Sequence, residues 1–321
     1  GRGIMILATV SNTERMKKMK KLLSLLVSGF MIFTLMSPVL AANEPVASDG
    51  EQEFDTLQSA IDSNATKIKL LKDVNESIVI SSDKAVTIDL NGNAITANDE
   101  DAIYVAKGAS LTINGDGEVI AGKAGCASVF NNGNTVLNGG KYTRDGATNW
   151  YTIVNHGTMT LYDGVAVENL NTADVSSLVE NGYYSYSGNN ERNNYVEGTN
   201  EAEPVLTVNG GTFNTAGYNS VKNDEGGSLI INGGSFTSQR ASGSVIQNWN
   251  KVEINGGTFT ATKENTAVIS NGTWGNYAKG NAVITGGNFI VDENAAKAVI
   301  LGFGEGSSTG GSLTVEGGSF D

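Results

Sequence analysis

The chain has 321 residues and a formal net charge of −13, with 39% hydrophobic, 17% charged and 7% aromatic positions. It is too apolar for a disordered chain and long enough for one large domain or two small ones, while 41 glycines, 36 asparagines and only 3 prolines point to frequent, regular turns and exclude long helices as its main elements. A single cysteine, Cys126, excludes an internal disulfide, and a single histidine, His156, excludes a multi-histidine metal site.

Residues 1 to 15 precede a better start at Met16 and read as upstream translation. From Met16 the chain runs MKKMKKLLSLLVSGFMIFTLMSPVLAA: four lysines, an apolar run from Leu22 to Met36, then Ser37, Pro38 and the small residues Ala41 and Ala42. That order is a secretory signal peptide over 16–41, and no cysteine follows to carry a lipid. Cleavage after Ala41 removes six basic residues and one acidic residue, which leaves 15 against 33 and a mature charge of −18. Such a surface repels nucleic acid and anionic membranes and attracts cations such as calcium. Residues 42–53 read as a linker.

A repeat dominates the rest. LTVNGGTF (206–213), LIINGGSF (229–236), VEINGGTF (252–259), AVITGGNF (282–289) and LTVEGGSF (313–320) are strong copies; IDLNGNAI (88–95), LTINGDG (111–117), TVLNGGKY (135–142) and MTLYDGVA (159–166) are weaker ones. The first glycine of each copy, or Asp163 in its place, falls at 92, 115, 139, 163, 210, 233, 256, 286 and 317. A short strand recurring at about 23 residues is a solenoid pattern. A second marker, Val-x-Asn or Ile-x-Asn, ends at Asn131, Asn155, Asn181, Asn223, Asn248 and Asn271, with Gly302 in the last repeat. Glycine to marker spans 13 to 18 residues, whereas marker to glycine spans 8, 8, 29, 10, 8, 15 and 15. Length variation is therefore confined to one corner, and the 47-residue step from 163 to 210 is one enlarged repeat. Period-two apolar residues predict strands, and the Gly pair supplies the positive φ of a sharp bend. Stacking in parallel at about 4.8 Å predicts an internal column of Phe213, Phe236, Phe259, Phe289 and Phe320, an amide ladder of the six marker asparagines, and roughly 40 Å of axis.

With these motifs, residues 54 to 321 resemble the right-handed parallel β-helix proteins of the pectin-lyase-like fold, specifically the noncatalytic, repeat-rich, adhesin-like members on secreted bacterial surface proteins. The resemblance implies an all-β, single-stranded parallel β-helix solenoid. It also implies a short N-terminal capping helix within Phe54 to Val74, where Leu57, Ala60 and Ile61 share one face.

Enzymes also use this scaffold. The alternative reading is a polysaccharide lyase or glycoside hydrolase, which would need clustered aspartates and a basic residue. The mature chain has only Arg144, Arg192 and Arg240 as arginines, and Asp145 and Asp163, the nearest candidates, both occupy turns. Paired carboxylates act on a glycosidic bond from about 5 to 9.5 Å apart, and no aligned aspartate pair recurs on one strand position. Asn155-His156-Gly157 resembles the Gly-His-Gly of polygalacturonases, but Asn131-Asn132-Gly133 holds the same register, so His156 is expected to be an exposed turn residue. Gly117 to Ala124 lacks the hydroxyl of a phosphate-binding loop, and Asn114 to Glu118 lacks the distal glutamate of a calcium loop. No cofactor or metal is expected, and Cys126 is expected to be a small buried hydrophobe.

The variable corner carries the functional expectation. Its insertion, Gly182 to Pro204, holds Tyr183, Tyr184, Tyr186 and Tyr195, and other loops add Trp249, Trp274, Tyr277 and Phe303. Aromatics among glycine and asparagine suit stacking on sugars or gripping a protein. The expected function is a noncatalytic module, secreted or on the bacterial cell surface, whose loop edge binds host or microbial glycans or surface proteins, with no nucleic-acid partner and no membrane segment in the mature form. Because the repeat stops at Gly317 to Asp321 without a terminal cap, further coils or an anchor are expected after it.

Overall fold

The computed structural model describes residues 44–122, 124–144, 150–173, 175–183, 203–240, 243–263, 267–272, 280–292, 300–302 and 311–321. Pro45–Asp321 is one compact unit. Its described residues form strands in parallel sheets of 20 and 9 strands, compatible with a β-helix, with a single helix, α1 (Leu57–Asp62).

A typical repeat supplies a strand before the Asn-Gly-Gly turn, a strand after it and a marker strand, as in Val205–Val208, Thr212–Thr215 and Val221–Asn223, while in Asn134–Arg144 and Thr158–Asn169 the first two run on as one strand. The repeat strands pair in parallel with their counterparts one repeat away. Leu206 aligns with Leu229, Val252, Ala282 and Leu313, and Val129 with Ile153, Val179, Val221, Ile246, Ile269 and Ile300. Val179 pairs directly with Val221, and Leu161 with Val208, so the 47-residue step is one repeat. Alternate residues enter the core: Leu206, Val208 and Phe213 are at most 1% exposed. Full burial of each such side chain contributes about 1.5–3 kcal/mol before ordering entropy is offset.

The two turn glycines serve different needs. The second has the left-handed backbone, φ +97° at Gly211 and +103° at Gly257, a conformation costly for a residue with a Cβ. The first is not in that region; a Cβ on Gly256 would lie 2.5 Å from the Asn232 carbonyl oxygen of the preceding repeat. Only the second glycine supplies the positive φ expected of both, and the first permits the stacking distance.

The phenyl rings of Phe213, Phe236, Phe259, Phe289 and Phe320 stack with centroids 4.6, 4.9, 4.9 and 4.8 Å apart and planes within 10°. Tyr142 continues the column through Val167. Its hydroxyl donates to the Gly139 carbonyl at 2.9 Å, and burial pushes its pKa far up. Because only the unfolded chain can then ionise this phenol, its protonated form stabilises the fold fully below about pH 10 and that contribution is lost as pH rises above it. Tyr142→Phe is expected to cost about 1 kcal/mol at neutral pH and to flatten the alkaline fall in melting temperature relative to the native chain between about pH 9 and 11.5.

The marker asparagines form a second internal column. Asn131 Nδ2 donates to Asn155 Oδ1 at 2.7 Å, Asn155 to Asn181 at 2.7 Å, Asn181 to Asn223 at 2.7 Å, Asn223 to Asn248 at 2.8 Å and Asn248 to Asn271 at 2.8 Å. The remaining amide hydrogens reach backbone carbonyls, as from Asn223 to Gly227 and Lys251. All the amide dipoles point the same way along the stack, an arrangement in which each bond polarises the next. A further polar row runs outside, where Asn255 donates to Asn232 and Asn232 to Asn209, each at 2.9 Å.

At the N-terminal side the described part of residues 42–53 is a paired hairpin and not the expected linker. Ala47–Ser48 pairs antiparallel with Glu53–Phe54 and with Lys67–Leu70. Helix α1 follows, with Thr56 accepting from Ser59 N at 3.1 Å, and the Glu76 carboxylate accepting from Leu57 N and Gln58 N. Leu57, Ala60 and Ile61 are its buried face, and the Gln58 amide bonds both backbone groups of Val79 on the strand Ile78–Ile80, the first of the nine-stranded sheet. At the other end Leu313, Val315 and Phe320 are 40–47% exposed.

Candidate functional site

In a marker strand the first and third residues face the core, so the middle residue and the residue after the asparagine face outward. On the outer side of the nine-stranded sheet the middle positions read Tyr104, Phe130, Val154, Glu180, Lys222 and Gln247 from repeat to repeat. The positions after the asparagines bring in His156, Asp224 and Trp249. This face is covered: Phe130, Val154, His156, Glu180, Lys222 and Asp224 are all at most 6% exposed.

Its first half is aromatic. Ala127, Phe130, Trp150 and Val154 form a small cluster separate from the main core, with Tyr104 and Tyr151 against it. The His156 ring stands edge-on to Phe130 at 5.1 Å and lies 4.5 Å from the Tyr183 ring. His156 is therefore a packed residue and not the exposed turn residue expected, because Tyr183 folds back over it. The Arg144 guanidinium, also buried, donates to the Trp150 carbonyl.

Its second half is charged. Lys222 Nζ lies 2.9 Å from Asp224 Oδ2 and 4.0 Å from the centre of the Trp249 ring, a cation over an aromatic face. The Glu180 carboxyl is within hydrogen-bonding distance of Asp224, whose second oxygen accepts from Glu225 N at 3.2 Å. Burial pushes the Asp224 carboxyl above the usual carboxylate range, against the opposing pull of Lys222.

Two of the aromatics expected on an open recognition edge are thus buried. Tyr183 is 7% exposed, its backbone N–H donating to the Glu225 carbonyl, and Trp249 is 9% exposed above Lys222. Both serve packing of this face, since each ring covers a polar or ionic group that would otherwise meet water. Tyr184, Tyr186, Tyr195, Trp274, Tyr277 and Phe303 lie outside the described residues. Glu180 and Asp224 do not form an aligned aspartate pair in the sequence, because one is a glutamate that precedes its ladder asparagine and the other follows its own. The signal was present in the opposite charges of Glu180 and Lys222 at one marker position. Cys126 is buried, its thiol 4.0 Å from the Asp99 carbonyl oxygen. Asp163 is exposed but lies within the strand Thr158–Asn169 and not in the turn expected of it, and Asp145 lies outside the described residues.

Among the described residues no group of three or more His, Cys, Asp or Glu is placed to hold a metal ion, and no helix is long and apolar enough to cross a membrane. Set against family models, curated proteins and solved structures, the chain matches none.

Proposed function

We propose that this chain is a secreted, noncatalytic surface module of a bacterium: a right-handed, single-stranded parallel β-helix whose first coil is closed by α1, serving as a rigid spacer with a recognition edge at its variable corner. The observation that carries this reading is the unbroken register of the marker strands across the 47-residue step, where Val179 pairs with Val221. A scaffold that absorbs a long insertion at one corner without losing pairing can carry binding loops there, because surface insertions cost little closure entropy. The partner class is a glycan or a surface protein, which the tyrosines of the insertion would grip by stacking.

The noncatalytic reading is supported by the buried carboxyl pair Glu180 and Asp224 on neighbouring repeats. Glu180 and Asp224 touch each other beneath a covered face, whereas glycosidases hold their carboxyls about 5 to 9.5 Å apart around an open bond.

The test is a glycan array and a cell-binding assay with the full chain and with a variant in which residues 184–202 become a short Gly-Ser link. Gly182, Tyr183 and Pro204 stay, since they belong to the packed face. Binding by the native chain, lost in the variant while the melting temperature stays within a few degrees, is the expected result. Equal binding by both moves the edge elsewhere, and turnover of a polyuronate panel replaces the reading with the lyase or hydrolase one.

A further inference from the structure

The charged half of the covered face holds an arrangement that neither a spacer nor a binding edge requires. Lys222 and Asp224 are one residue apart on the same face of a strand, about 7 Å between their Cβ atoms, a gap that the four-carbon lysine stem spans. The nitrogen lies 2.9 Å from Asp224 Oδ2, in direct contact with the carboxyl it would attack. Glu180, fully buried on the neighbouring repeat, reaches the same carboxyl. Trp249 closes the lysine from the other side.

We propose that Lys222 Nζ and Asp224 Cγ condense to an intramolecular amide, with Glu180 as the group that moves the proton. Burial penalises the charged form of the Asp224 carboxyl. The raised pKa of Asp224 is in the direction that keeps its carboxyl protonated. The lysine, having passed its proton to the aspartate, attacks Cγ as a free amine and forms the C–N bond. Glu180 takes the proton released from nitrogen and delivers it to the departing hydroxyl; the C–O bond breaks and one water leaves. Glu180 ends as it began, nothing is oxidised or reduced, and no co-reactant is consumed. Holding amine and acid in van der Waals contact supplies the effective concentration that the condensation lacks in solution, and the product exchanges two buried charges for a neutral amide. The ring closed by this bond is small, so its gain is removal of buried charge and not restriction of the unfolded chain.

Intact mass and peptide mapping of the full chain test this directly, beside Glu180→Gln and Lys222→Arg. The expected result is a native chain lighter by one water, with the loss confined to Lys222–Asp224. Lys222 resists trypsin and acetylation there, and both variants have full mass. A native chain of full mass overturns the proposal, and that reading stands whether or not the variants fold. A water loss reversed by mild alkali, with Lys222 still open to acetylation, is a succinimide at Asp224 and overturns it too. Retention of the amide in folded Glu180→Gln overturns the role given to Glu180.

Discussion

Replacing Asn248 by alanine lowers the stability of the fold by about 3–5 kcal/mol, and replacing Asn271 costs roughly half as much. Asn248 is fully buried and sits between two ladder partners, accepting from Asn223 and donating to Asn271, both at 2.8 Å. Its amide also donates to the carbonyls of Asn250 and Asn281 at 3.2 Å each. Truncation leaves the Asn271 oxygen without its ladder donor and the Asn223 amide without its ladder acceptor, while the Asn250 carbonyl keeps the Asn281 N–H; each buried orphan costs about 1–3 kcal/mol less whatever relaxation recovers. Asn271 accepts from Asn248 but has only carbonyls of Gly280 and Ser312 beyond it, because Gly302 holds the next position. Asn248→Asp keeps the volume and still accepts from Asn223, but it sets an acceptor against Asn271 Oδ1 and buries a charge, so it is expected to be at least as damaging as alanine. Denaturant melts of the three variants check this ordering. Equal losses for Asn248→Ala and Asn271→Ala, or a tolerated aspartate, would mean that packing and not the amide chain holds the column.

What was legible in the sequence follows the period. Residues that recur at a fixed place in each repeat have their neighbours determined by that recurrence, which is why Asn131 to Asn271 and Gly302, and Phe213 to Phe320, could be aligned without coordinates. The same logic identified the enlarged repeat between Asp163 and Gly210. What was not legible belongs to residues whose neighbours are aperiodic. His156, Tyr183 and Trp249 each occur once, in repeats where other residues take their place, and nothing in a spacing tells whether an outward ring meets water or a returning segment. Tyr183 returns because its backbone bridges to Glu225 across the base of the insertion. Lys222 and Asp224 look like solvated charges in sequence, yet they are 6% and 0% exposed because Trp249 and Glu180 enclose them. Side chains specific to a single repeat therefore have surroundings that the period does not determine.

The largest single loss is expected at Phe259. Truncation of a buried phenylalanine costs about 3–5 kcal/mol through lost transfer energy and the cavity left behind, and Phe259 is fully buried with a ring 4.9 Å away on each side. Offset-stacked pairs add about 0.5–1.5 kcal/mol each beyond burial, so Phe259→Ala falls at the upper end of that range. The cavity cannot close easily, because strand pairing fixes the repeats above and below and the rings of Phe236 and Phe289 rest against left-handed turn glycines that cannot shift inward. Phe320 has the same chemistry, but with one stacked neighbour and 40% exposure, so Phe320→Ala is expected to cost about 1 kcal/mol or less. Because stacked repeats are stabilised chiefly through nearest-neighbour interfaces, loss of Phe259 also weakens both adjoining repeats. Amide exchange should therefore rise in the strands of Phe236 and Phe289 before it rises in the strand of Tyr142. Exchange raised uniformly along the chain would instead mean that the stack unfolds as one cooperative block, with the column adding bulk but no local coupling.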